Sequence, residues 1–172
     1  MSPRTSPYRT LPAERRLALV VHAMKSGREG REQFIQRLVA RGGGFRAATL
    51  RTWPVERVAK EIVRMKAESA ADELDLLQLL YLEVDPSVQI TFLDAAGVQH
   101  ENGKMPDSLE PPYADAEGVK RGAAAVRERH GEEGDRYLRT IERYSQEGWP
   151  GIDAIVAEMQ LENGSLPSEN PR

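Results

Sequence analysis

The sequence predicts an all-α fold, an irregular bundle of about seven to eight helices. Three observations carry that expectation. Apolar residues recur at three-and-four spacing through most of the chain, the period of a helix with one buried face. Ser, Asp, Pro and Gly stand where helix starts and stops need them. Only one segment, Val88-Gln89-Ile90-Thr91-Phe92, alternates apolar and polar residues in the manner of a strand.

Residues 1–11 carry Pro3 and Pro7 among small polar and basic residues, and read as a flexible basic arm. A helix follows over about 12–25. Pro12 suits its first turn, Ser26-Gly27 stops it, and Leu17, Val20, Val21 and Met24 share a face. The next, over about 29–41, carries Phe34, Ile35, Leu38 and Val39 and ends at Gly42-Gly43-Gly44. A short element is expected at 45–51. Pro54 then opens the clearest amphipathic helix, with Val55, Val58, Ala59, Ile62 and Met65 on one face. Arg57, Lys60 and Arg64 occupy the other face, and Glu56 is placed to pair with Lys60 at i,i+4.

Ser69 with Asp72 forms a capping-box start. The leucines that follow, Leu74 to Leu82, cover nearly the whole circumference, which predicts a central helix. Over 86–96 two readings compete. Asp85-Pro86 and Gly97 frame a helix, whereas the alternation at Val88, Ile90 and Phe92 allows a short β-hairpin near 88–105. The helix is preferred. Residues 98–113, with Asn102, Gly103, Pro106, Pro111 and Pro112, read as a long loop with few partnered backbone groups. Three helices close the domain at about 114–130, 132–145 and 151–161, and 163–172 reads as a disordered tail. Residues 12–162 are thus expected to form one helical domain.

Charge divides this chain. Residues 1–66 hold 15 Lys and Arg against 5 Asp and Glu; residues 67–172 hold 9 against 22. A net −3 therefore conceals a basic block at 12–66 and an acidic block at 67–162, which predicts two unlike contact surfaces. There is no cysteine, which excludes disulfides and thiolate chemistry. No apolar run approaches the ~20 residues of a membrane span. A soluble, cytoplasmic protein without membrane insertion is expected.

Ala40, Gly44, Phe45, Leu50 and Trp53 fall at spacings that resemble a degenerate helix-turn-helix over 36–53. That resemblance implies a recognition helix presenting Arg46, Thr49 and Arg51. Gly43 in place of an apolar residue and Pro54 just after Trp53 depart from the pattern. With the basic helix at 54–66, the candidate polyanion- or partner-binding residues are Arg46, Arg51, Arg57, Lys60 and Arg64. Trp149, beside Pro150-Gly151, is expected to plug the bundle end; were it exposed it would be a partner anchor. His22, His100 and His130 are too scattered for a metal site. His100, in the long loop, is the histidine to test for acid–base chemistry. No catalytic residue, metal or cofactor is assigned.

The expectation is a non-enzymatic helical interaction protein, an adaptor, assembly factor or accessory subunit. Its partner is expected to be a protein, and its own state a monomer or small dimer. The rival expectations are a DNA- or RNA-binding protein using 36–66, and an enzyme whose site is assembled from residues distant in sequence.

Overall fold

The computed structural model describes residues 6–164. Among these residues are nine α-helices and no sheet, as the apolar spacing requires. The chain divides into two compact units, Met1–Val84 and Asp85–Arg172, where one domain is expected from sequence.

In the N-terminal unit a 3-10 turn, Pro7–Thr10, precedes α1 (Ala13–Ser26), α2 (Arg28–Ala40), α3 (Ala47–Thr52), α4 (Val55–Met65) and α5 (Ala70–Leu79). A π turn, Leu80–Val84, continues α5. Helix α1 lies against α2, α4 and α5, which makes it the hub of the unit. It contributes Leu19, Val20 and Met24 to the core. Helices α2 and α4 bring Phe34, Ile35 and Leu38, and Val58, Ala59 and Ile62. Of the leucine-rich segment, Leu76, Leu77 and Leu80 are buried while Leu74, Leu79 and Leu82 are part-exposed. The segment is therefore one wall of the core rather than its axis. Its start is the expected capping box. The Ser69 N–H donates to Asp72 Oδ2 at 2.7 Å, and the Asp72 N–H donates to Ser69 Oγ at 3.2 Å.

The basic arm expected over 1–11 is corrected for residues 6–11. Tyr8 and Leu11 are 0% and 3% exposed. The Tyr8 hydroxyl donates to Glu68 Oε1 at 2.8 Å, and Arg9 bonds Glu68 and Glu73. An aromatic ring and two buried carboxylates dock this segment, interactions that its proline and charge content conceal. Residues 1–5 lie outside the described residues.

The C-terminal unit contains α6 (Ser87–Ala96), α7 (Ala116–His130), α8 (Glu132–Ser145) and α9 (Ile152–Gly164), with a 3-10 turn at Gln146–Gly148. Helix α6 settles the ambiguity at 86–96. It ends on Gly97 at φ 77°, in the left-handed region that a Cβ disfavours. The hairpin reading survives only as one bridge, Glu101 to Lys104, closed around Asn102-Gly103. Its two N–H···O bonds measure 2.9 and 3.0 Å.

Asp115 caps α7 by accepting the Gly118 N–H at 2.6 Å. Around Phe92, the rings of Tyr137 and Trp149 stand at 5.5 and 5.0 Å between centroids, tilted edge-on. Tyr113 packs on Trp149 at 5.2 Å, and its N–H donates to the Gly148 carbonyl. The long loop is thus pinned at both ends. Burial raises the Tyr137 phenol above its ordinary pKa. Helix α9 runs to Gly164, so 163–164 are helical where a tail is expected, and 165–172 lie outside the described residues.

Candidate functional site

The basic residues singled out by sequence lie on the N-terminal unit, and the α2–α3–α4 corner gathers some of them. Trp53 follows α3 and is half-buried. The Phe45 ring meets it edge-on at 5.8 Å. Arg57, one turn into α4, lays its guanidinium 3.7 Å from the indole centroid. This is close cation–π stacking, and it holds a charged, exposed side chain in one place. From α2, Arg31 Nη2 donates to the carbonyls of Arg51 at 3.1 Å and Trp53 at 2.6 Å. These carbonyls lie at the C-terminal end of α3, where a cation complements the helix dipole.

Arg51 turns back toward α2. Its Nε and Nη2 donate to the two oxygens of Glu32, at 3.0 and 2.5 Å. Arg64 donates twice to Glu61 in its own helix. Glu56 pairs with Lys25 of α1 at 2.7 Å rather than with Lys60, because α1 packs directly on α4. Arg46 and Lys60 are exposed and form no ion pair among the described residues. Of the predicted residues only Arg57 therefore reaches Trp53; Arg51 is turned to Glu32, and Lys60 and Arg64 continue the outer face of α4. Arg46 stands apart at the entry to α3.

Two features of a helix-turn-helix are missing. Ala40, expected at a helix crossing, is exposed. Helix α3 has six residues, under two turns, and its Arg51 is engaged by Glu32.

Hydrogen bonds from Arg51 and then Gln36 hold the Glu32 carboxyl down to about 2. Because this pKa is depressed, the pairing is complete above the ordinary carboxylate range and is lost only as pH falls through about 2. Carbon-detected NMR should therefore find Glu32 titrating near 2 in the parent and, in Arg51→Gln, rising toward about 4.3. Both side chains are solvent-facing, so global stability should not follow this change.

The remaining candidates resolve differently. Trp149 is 3% exposed and plugs the aromatic cluster, so the exposed-anchor alternative is corrected. His100 accepts the Gly103 N–H at Nδ1 and faces Asp94 Oδ1 at 3.0 Å through Nε2. The backbone donor leaves the proton on Nε2, directed at Asp94. Both ring nitrogens are thus hydrogen-bonded within the unit, Nδ1 across the turn and Nε2 to α6. His130 bonds Thr91. Among the described residues no group of three His, Asp or Glu could hold a metal ion, and no helix is long and apolar enough to cross a membrane.

Sequence reasoning missed the role of Trp53. The helix-turn-helix spacing takes Trp53 only as a position of that pattern, but the Arg57 four residues later is the available signal, since i,i+4 side chains meet on a helix and just before its start. The chain matches no protein-family profile, no characterised protein and no solved structure.

Proposed function

We propose that this chain is a non-enzymatic helical interaction protein, an adaptor or accessory subunit, that meets an acidic protein partner through the Trp53–Arg57 corner and the outer face of α4. The observation that carries this reading is the stacked pair itself. Tryptophan and arginine are the commonest anchors at protein interfaces. Stacking fixes Arg57 before any partner arrives, which lowers the entropy lost on binding. Lys60 adds a charge with no internal counterion among the described residues.

A protein fits this surface better than a nucleic acid does. Glu32, Glu56 and Glu61 lie among the cations and pair with Arg51, Lys25 and Arg64. A partner protein can answer a mixed-sign surface residue by residue. A phosphate backbone, with a uniform charge about every 1.7 Å of duplex, meets those carboxylates as repulsion. The nucleic-acid reading keeps one favourable observation: Arg57, Lys60 and Arg64 are all exposed along one helix face. The cytoplasm and a monomer or small dimer belong to the same proposal.

The test compares the parent with Arg57→Glu/Lys60→Glu. Affinity isolation from the native cell should retain a protein that the double variant loses by tenfold or more. Neither should bind random duplex DNA or RNA at 50 mM salt on the order of micromolar affinity. Parental duplex binding that falls steeply with salt would transfer the surface to nucleic acid.

A further inference from the structure

A second feature of the N-terminal unit has the opposite charge and a different shape. Between α1, α2 and α5 lies an open cleft of about 230 Å³. Its floor is apolar, built from Ala23, Phe34, Leu76 and Leu79, and its rim includes Asp72, Asp75 and Glu83. The three rim carboxylates are not equivalent. Asp72 is 2% exposed and fully engaged: Oδ1 accepts from Gln33, and Oδ2 accepts from Ser69 and Arg37. Asp75 is exposed and has no counterion among the described side chains. Glu83 is also exposed, and the His22 imidazole stands 4.0 Å from it, beyond hydrogen-bond reach. Asp75, Leu79 and Glu83 follow one another at four-residue steps, so acid, apolar and acid positions share one face of the helix and the π turn that extends it.

We infer that this cleft docks a basic amphipathic segment of a partner protein, seating the aliphatic stem of an arginine or lysine on Phe34, Leu76 and Leu79 with its cation at Asp75 or Glu83. The shape and the charges select this occupant together. The cleft is too small for a ring system of drug size, which needs about 300 Å³ or more, but it accommodates one long side chain. Arginine and lysine alone combine an apolar stem with a charged head, and they lie along apolar surface with that head in water. A purely apolar side chain would leave both rim carboxylates unanswered, and an anionic one would be repelled by them. The surface is distinct from the Trp53–Arg57 corner. It would give the unit a second contact of opposite sign, so one small unit could bridge an acidic and a basic partner.

The experiment uses the isotope-labelled full chain and two probes, n-butylguanidinium and a nonapeptide of alanine carrying arginine at positions 1 and 9 and leucine at position 5. The expected result is saturable shifts of the Ala23, Gly30, Leu76 and Leu79 amides with both, the peptide binding at least five-fold more tightly. Uncharged n-butylurea should give no saturation over the same range. Asp75→Asn/Glu83→Gln should weaken the peptide at least five-fold, with signals outside the cleft unmoved, since both side chains are exposed. Arg57→Glu/Lys60→Glu should leave it unchanged, which separates failure here from failure of the corner. Three results overturn the inference: no saturable shift at these amides, equal binding of the urea, or a peptide no tighter than butylguanidinium, which would reduce the cleft to a weak cation site.

Discussion

Arg9→Ala should destabilise the N-terminal unit by about 3 kcal/mol, the lower end of the range for removing one partner of a buried ion pair. Arg9 Nε donates to Glu73 at 2.6 Å, Nη1 to Glu68 at 3.0 Å, and Nη2 to the Glu68 carbonyl at 3.1 Å. The side chains of Glu68 and Glu73 are 0% and 10% exposed. Without the guanidinium, two carboxylates remain in low dielectric, and the Tyr8 hydroxyl bonds only Glu68. That hydroxyl cannot substitute for a cation. Burial, then the Glu68 charge and hydrogen bond, already raise the Tyr8 phenol far above its ordinary value, so it stays a neutral donor at any physiological pH. Arg9 is itself 20% exposed, so water enters the vacated site and moderates the loss. Urea denaturation followed by amide exchange in α5 reads the change. Arg9→Ala within about 0.5 kcal/mol of the parent would mean that the segment at 6–11 is an arm after all. Arg51→Gln is the contrast, since its bidentate bond to Glu32 is exposed and should cost almost nothing.

The same network shows where sequence reading stops. Each helix announces itself locally. The stripe Val58, Ala59, Ile62 lies within one segment, as do the capping box Ser69–Asp72 and the glycine stop at Gly97. All three appear where expected. The partners of Glu68 and Glu73 are 59 and 64 residues away, and no local pattern identifies them. In isolation, Asp72 and Glu73 read as first-turn carboxylates complementing a helix dipole. They do occupy that first turn, but they also neutralise Arg37 and Arg9 inside the unit.

This explains why the charge boundary misplaces the structural one. Charge changes sign after Lys66, but the units divide after Val84. Residues 67–84 supply five carboxylates and no cation, and fold with the basic segment they neutralise. The N-terminal unit thus holds 15 cations against 10 acids, not a uniformly basic surface. The candidate site suffers from the same limit. Arg57, Lys60 and Arg64 are legible as an outer helix face by spacing alone. That Arg51 is committed to Glu32, and that Trp149 is covered by Phe92 and Tyr113, follows only from folding distant segments together.

Gly134→Ala should destabilise the C-terminal unit by about 2–3 kcal/mol, the opposite sign from the one helix propensity gives. In the interior of an exposed helix this exchange gains up to about 1 kcal/mol, because alanine loses less backbone entropy. Here a Cβ would stand 2.3 Å from the Val126 carbonyl oxygen and 2.6 Å from its carbon. Both are backbone atoms of the facing helix, so no side-chain rotation relieves the overlap. Separating α7 from α8 is the only relief, and the connection resists it. Helix α7 ends at His130, Gly131 turns the chain at φ 54°, and α8 begins at Glu132, which leaves no slack three residues from the contact. Opening the pair also strains the Arg127 bridge to Asp135 and uncovers Val126 and Leu138, both fully buried. Overpacking of this kind costs about 1–3 kcal/mol, and rigid atoms place it at the upper end. The urea midpoint of unfolding, followed through exchange of α7 and α8 amides, should fall for Gly134→Ala and fall further for Gly134→Val. A rise for the alanine variant would show that the two helices stand farther apart than 2.3 Å allows, and that propensity rather than close approach governs this position.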